Sequence, residues 1–129
     1  MKGYNQISDL CIRIKNNSQN YKKTVEIINT KDNIKFLNFL YKEGYILYYI
    51  ILKDFKIIKI FLKYNNNVPL INRLNFISKN KKEINCPIKI LLKQKNQNSF
   101  YIIKTNNDYL SLQTALKKNV GGYLFCQIN

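Results

Sequence analysis

Apolar and polar positions follow two different rhythms along this chain, and the change of rhythm delimits its elements. Ile7, Leu10, Cys11 and Ile14 recur at three- and four-residue spacing, with Asp9, Arg13, Asn16 and Asn17 on the other side. That period predicts an amphipathic helix over roughly residues 6–17, with Asn5 able to cap its start. Thr24 to Ile28 is short and β-rich, a strand. Asn29-Thr30-Lys31 makes a turn, with Thr30 as N-cap of a second helix and Asp32 complementing its positive end. Ile34, Leu37, Leu40 and Tyr41 form that helix's stripe, Lys42 sits at its negative end, and Gly44 supplies the left-handed residue beyond it.

The rhythm then shortens. Tyr45 to Leu52 is almost continuously apolar, which predicts a strand covered on both faces. Lys53-Asp54 reads as a tight hairpin turn. Ile58, Ile60 and Leu62 alternate with Lys59 and Lys63, one face for the core and one basic. Asn65-Asn66-Asn67, with Pro69 beyond, favours a turn and marks the expected boundary between lobes 1–67 and 68–129. Leu70 to Ile77 is mixed, Ser78 to Glu83 is a basic loop, and Pro87 to Lys93 fits helix or strand equally. Phe100 to Ile103 and Tyr123 to Ile128 read as strands. Between them lie the polar loop Lys104 to Asp108, a short helix capped by Ser111 with Leu112, Ala115 and Leu116 inward, and the break at Gly121-Gly122. The expected class is α+β: an αβαββ lobe, then a mostly-β lobe with one short helix. The aromatic residues interleave with Ile and Leu and read as core, Tyr101 and Tyr123 being candidate exceptions.

Composition narrows the chemistry. Twenty-two Lys and Arg stand against seven Asp and Glu in 129 residues, a net charge of +15, and there is no histidine. Histidine-based nucleophile pairs and His-ligated metal sites are excluded. The carboxylates Asp9, Glu26, Asp32, Glu43, Asp54, Glu83 and Asp108 are scattered, so no catalytic pair and no enzyme is expected. Cys11, Cys86 and Cys126 have no C-x-x-C spacing, and Cys11 and Cys126 read as core residues in a reducing compartment. No secretory signal is visible, and the longest apolar run is far shorter than the roughly 20 residues of a membrane span. A soluble chain is expected. An excess of 15 positive charges concentrates polyanions, nucleic acid first and an anionic membrane surface second.

Five segments then resemble one family in order. Asp9 to Asn16 is similar to D-x-L-x-R-I-R-N, and Leu40 to Ile46 to L-x-x-E-G-[FY]-I. Leu62-Lys63-Tyr64 matches L-K-Y, Ile77-Ser78-Lys79 resembles V-S-[RK], and Gly121 to Cys126 resembles G-G-E-[IV]-[IL]-C. The family is the bacterial-type eighth protein of the small ribosomal subunit. The resemblance implies a two-lobed fold and a primary binder of the central domain of small-subunit ribosomal RNA that helps nucleate the platform. It also implies neighbouring ribosomal proteins as partners, with no cofactor, small-molecule substrate or membrane.

The family's main RNA-binding surface lies in the second lobe, at a loop S-T-S-x-G near the Gly-Gly turn. Here that stretch is Lys104-Thr105-Asn106-Asn107-Asp108, so only Thr105 is retained. Hydroxyls and amides there would meet base edges, ribose and phosphate, Lys104 would add a phosphate contact, and Asp108 should point away or cap the next turn. Gly121 and Gly122 serve either a positive-φ turn or close approach of RNA to the backbone. Tyr123 replaces a family glutamate, and Asn80-Lys81 a family Pro-Gly. The same resemblance places Ser78, Lys79 and Lys81, and in the first lobe Arg13, Lys15, Asn16, Thr30 and Lys31, near RNA. The rival reading is a peripheral membrane or scaffold protein on anionic lipid, against which stands the lack of a long basic amphipathic helix. The Asn, Ile and Lys bias and the family-like stretch beginning within the first ten residues lead us to expect no import presequence. They point to a product encoded in an A+T-rich organelle, mitochondrion before plastid, or else in a reduced A+T-rich bacterium.

Overall fold

The first amphipathic stripe forms its helix and runs past the expected ends: α1 spans Lys2–Gln19 and buries Ile7, Leu10, Cys11, Ile14 and Ser18. The computed structural model describes residues 2–52, 54–71, 74–76, 100–105, 108–118 and 122–128. The chain divides into two compact units, Met1–Leu74 and Asn75–Asn129.

In the first unit, β1 (Thr24–Ile28) leads to α2 (Lys31–Lys42), then to β2 (Ile46–Ile51) and β3 (Ile57–Leu62). The three strands form an antiparallel sheet in the order β1–β3–β2. Val25 and Ile27 stand opposite Ile60 and Ile58, and these four are buried together with Ile46 and Leu62. Phe36, Leu37, Phe39 and Leu40 of α2 are buried as well. Thr30 caps α2 as expected, its hydroxyl accepting from the Asn33 N–H at 3.1 Å, and Asp32 lies in the first turn. Asn65 ends β4 (Tyr64–Asn65), and Val68 begins β5 (Val68–Pro69). Asn66 and Asn67 join them with φ of 53° and 67°, the two left-handed residues of a type I′ hairpin. The asparagine run is therefore a turn inside the first unit.

The apolar run of β2 is not covered on both faces. Leu47, Tyr48, Ile50 and Ile51 are between 40% and 50% exposed. The reason is position: β2 is an edge strand. Tyr48 and Ile50 pair with Phe61 and Lys59, so they share the side turned away from Ile58 and Ile60. The register slips by one residue at Leu47, between Ile46 and Tyr48. The outer side of β3 carries the expected Lys59 together with Phe61, which stacks on Tyr48 at 4.3 Å, and the Lys59 ammonium lies 5.6 Å from the Phe61 ring centre. The β2–β3 connection is also longer than a two-residue turn. Leu52 N–H bonds the Ile57 carbonyl at 2.9 Å, and Phe55 carries a positive φ of 56° inside the loop. Aromatic residues read as core partly leave it, since Tyr21, Tyr41, Tyr48 and Phe55 are exposed.

The four-stranded sheet has the order β6–β9–β7–β8, with β6 at Leu74–Phe76, where the second unit begins, β7 at Phe100–Lys104, β8 at Tyr109–Ser111 and β9 at Tyr123–Ile128. Helix α3 (Leu112–Lys118) follows β8 directly, capped by Ser111, whose hydroxyl accepts from the Thr114 N–H at 3.1 Å. Ile103, Leu112 and Ala115 form a buried cluster against which Tyr101, Leu110 and Leu124 pack. Tyr101 thus belongs to the core and is no stacking platform. Successive residues Ile102 and Ile103 are both buried, as a strand inside a sheet covered on both faces requires. Cys11 and Cys126 are buried, as core residues. The ambiguous segment Pro87 to Lys93 lies outside the described residues. Among those described, no helix is long and apolar enough to cross a membrane.

Candidate nucleic-acid interface

In the second unit, the loop after β7 is closed by its own first residue. The Thr105 N–H donates to the Asp108 carbonyl at 2.9 Å, and the Thr105 hydroxyl donates to that same oxygen at 3.1 Å. The hydroxyl in turn accepts from the Asp108 N–H at 3.3 Å. A hydroxyl carries one proton, and here it is spent inside the turn. Thr105 therefore shapes the loop, and what it can still offer outward is acceptor capacity. Asp108 takes part through its backbone and its side chain is exposed.

Lys104 is held as firmly. Register places it between Tyr109 on β8 and Tyr123 on β9. Its ammonium lies 5.6 Å from the Tyr109 ring centre and 5.4 Å from that of Phe125, two rings themselves 5.2 Å apart. This pincer fixes a positive charge at the base of the loop, half-buried.

Gly122 does not serve a positive-φ turn, the first of its two sequence readings. Gly44 is the described glycine with a positive φ, at 80°, and Gly122 has none. A Cβ on Gly122 would stand 2.6 Å from the Lys104 carbonyl oxygen and 2.9 Å from Ile103 Cγ2. The close approach this glycine permits is thus to the chain's own strand β7. Lys104, Thr105, Asp108, Gly122 and the Tyr123 backbone come together at one end of the sheet. Asn106, Asn107, Gly121, Ser78, Lys79 and Lys81 lie outside the described residues.

In the first unit, two of the expected contact residues are committed to the fold. Arg13 Nε pairs with Asp9 Oδ2 at 3.1 Å, and its Nη1 donates to the Glu26 carbonyl at 3.2 Å, bracing α1 against β1. Thr30 spends its side-chain oxygen on the cap. Asn29 ties the turn before α2 to the β2–β3 loop, its Nδ2 donating to the Phe55 carbonyl at 2.8 Å. Asn33 is buried, with Nδ2 donating to the Ile28 carbonyl at 2.8 Å and Oδ1 without a partner among the described residues. Asn16 and Lys31 are exposed, and Lys15 is half-buried. Among the described residues, Arg13 is the one cation in an ion pair, so no described carboxylate competes with an external anion for the described lysines.

This geometry suits polyanion binding, with charge fixed on rigid elements. The family model for ribosomal protein S8 matches residues 5–129. The chain is 32% identical over 128 residues to the small ribosomal subunit protein uS8 of Kosmotoga olearia, covering 95% of this chain and 96% of that protein. It is 33% identical over 125 residues to the uS8 of Rickettsia massiliae, with 95% of each covered. The uS8 of Ehrlichia ruminantium is 31% identical over 125 residues, again with 95% of each covered. A match that spans nearly the whole chain, with helices and antiparallel strands in the expected order, leads to one assignment: the chain belongs to the ribosomal protein S8 family.

Proposed function

We propose that this chain works as a structural constituent of the small ribosomal subunit by holding the central domain of the small-subunit ribosomal RNA and helping to assemble the platform. It is not an enzyme, and its partners are that RNA and neighbouring ribosomal proteins. The observation that carries the reading is the family match over residues 5–129, on a chain with a net charge of +15. Within it, the Lys104-Thr105-Asn106-Asn107 loop and Gly121-Gly122-Tyr123 form the main RNA surface, to which Ser78, Lys79 and Lys81 add further contacts. Arg13, Lys15, Asn16, Thr30 and Lys31 form the first unit's contribution. Thr105, Thr30 and Arg13 act through shape, Lys104, Lys15 and Lys31 through charge. The bound carbonyl and aromatic partners described above support that division of labour.

Binding carried by lysines should weaken steeply as salt rises, through counterion release. Filter binding of the purified chain to the cognate central-domain transcript and to an unrelated hairpin tests the assignment. Preference for the cognate RNA at every salt concentration is expected; equal affinity for both would reject it. Thr105→Ala with Asn106→Ala should reduce the cognate affinity more than the unrelated one, and equal reduction would remove that loop as the reader. For the compartment, we propose a mitochondrial gene, on the A+T-driven bias to Asn, Ile and Lys. Recovery of the gene from purified organelle DNA is the expected result, and its recovery from a nuclear or bacterial genome would overturn it.

A further inference from the structure

Helix α1 ends on a residue that its backbone disfavours. The Tyr21 N–H bonds the Ser18 carbonyl at 3.1 Å and the Lys22 N–H bonds the Asn17 carbonyl at 2.9 Å. This is the paired closing motif of a helix C-terminus, and Tyr21 sits at its left-handed position with φ of 56°. Glycine or asparagine usually stands there, because a Cβ crowds the following carbonyl. Tyr21 is 67% exposed, so core packing does not account for it either.

The side chain is nonetheless held. Its ring stacks with that of Tyr64 at 6.5 Å between centroids and 22° between planes. The Tyr64 hydroxyl donates to the Lys22 carbonyl, fastening β4 to the turn. Lys22 and Lys23 follow in the chain and are exposed, and neither is in an ion pair among the described residues. A supported, open aromatic face beside unpaired cations matches what an unpaired nucleotide needs: a π surface for the base and positive charge for its phosphates.

We infer that Tyr21 is a stacking platform for an unpaired base of RNA, with Lys22 and Lys23 taking the adjoining phosphates. The inference rests on the RNA-binding reading above but names a different site, in the first unit. A base inside a duplex cannot reach such a platform, so the site selects bulged or single-stranded nucleotides.

The test uses the full chain and two probes: a single-stranded oligouridylate with one central 2-aminopurine, and a blunt duplex of the same length. Stacking on Tyr21 should quench the 2-aminopurine. Tyr21→Gly should abolish the quenching and lower the affinity for the single strand about tenfold, with the duplex affinity nearly unchanged. Tyr21→Phe should restore both. In parallel, a central-domain transcript carrying 4-thiouridine should crosslink to the tryptic peptide of residues 16–22, which contains Tyr21. An unchanged single-strand affinity in Tyr21→Gly would assign the ring to a protein contact and overturn the proposal. An equal loss on both probes would overturn it too, as a fold effect. Failure of the unsubstituted chain to bind either RNA would instead defeat the RNA-binding reading from which this site follows.

Discussion

The two helices of the first unit end in the same hydrogen-bond motif and fill its critical position differently. At the end of α2, Gly44 N–H bonds the Tyr41 carbonyl at 3.1 Å and Tyr45 N–H bonds that of Leu40 at 2.9 Å. Gly44 takes the left-handed residue at φ of 80°, with only the Lys63 ammonium near where its Cβ would be. At the end of α1 the corresponding bonds come from Tyr21 and Lys22, and tyrosine takes the left-handed residue. The first end follows backbone preference and the second departs from it. A left-handed L-residue costs roughly 1–2 kcal/mol, which the α1 end bears for the sake of an exposed ring. Where local chemistry overrides a conformational preference at a surface, the side chain is the feature to explain.

The sharpest control on this comparison is a glycine that is needed for space rather than for φ. Gly122→Ala should destabilise the chain by about 3 kcal/mol, because its Cβ would meet a carbonyl of β7, and strand backbone yields less readily than a side-chain tip. Urea titration followed by circular dichroism measures it. A loss no larger than that of Gly44→Ala would show that β7 and β9 separate easily and that the crowding is relieved by small shifts.

Gly44→Ala comes next. Open space around Gly44 removes the steric component, so the cost is conformational, about 1 kcal/mol. The same titration should show a lower midpoint with an unchanged slope. If Gly44→Asn recovers part of the loss, the left-handed requirement is confirmed, since asparagine tolerates that region better than alanine. Tyr21→Gly should move the other way. Relief of the left-handed strain is offset in part by the loss of the Tyr64 stack and by glycine's extra freedom when unfolded. A net gain of about 0.5 kcal/mol is expected. A destabilised Tyr21→Gly would mean that the ring serves the fold, and would weaken the contrast between the two helix ends.

How much of this was legible differs from residue to residue. The order α1–β1–α2–β2–β3 follows from hydrophobic period, and Thr30, Asp32 and Gly44 occupy their expected places because capping is local chemistry that a few adjacent residues determine. The exposure of β2 was not legible: an apolar run looks the same on an edge strand as in the middle of a sheet, and strand order is set by pairing at a distance. Gly122 was legible as a necessary glycine but not for its reason, which lies in a carbonyl 18 positions earlier in the chain. Thr105 shows the same limit. The sequence marks a polar residue at a loop, while the hydrogen bonds that occupy its hydroxyl depend on how the turn closes. Tyr21 falls under the general reading of the aromatic residues as core although its own neighbours are Asn20 and Lys22, and only the backbone angle reveals that it caps a helix.

The smallest expected effect probes both helix ends at once, through pH. Tyr45 follows Gly44 at the end of α2, and burial, with the Glu43 charge second, pushes its phenol above the ordinary value of 10.0. Tyr64 donates to the Lys22 carbonyl at the end of α1, and burial, with Tyr21 second, raises its pKa likewise. A raised phenol pKa means that the folded chain holds a proton which the unfolded chain has already released. Stability should therefore be unaffected by these groups below about pH 9 and fall as the pH rises past 10. Tyr64→Phe should flatten its share of that fall, and Tyr45→Phe the other share, in denaturation curves taken from pH 8 to 11. The two variants also separate the ends. In Tyr64→Phe the loosening at high pH should disappear from the amide exchange of Tyr21 and Lys22 while that of Gly44 and Tyr45 keeps its pH dependence. The hydroxyl bonded to the Lys22 carbonyl is the part of Tyr64 that titrates, and the ring stack on Tyr21 survives the change. Equal changes at both ends would mean that the two helices open together, and that the tyrosine-capped end has no independent motion with which to meet a nucleotide.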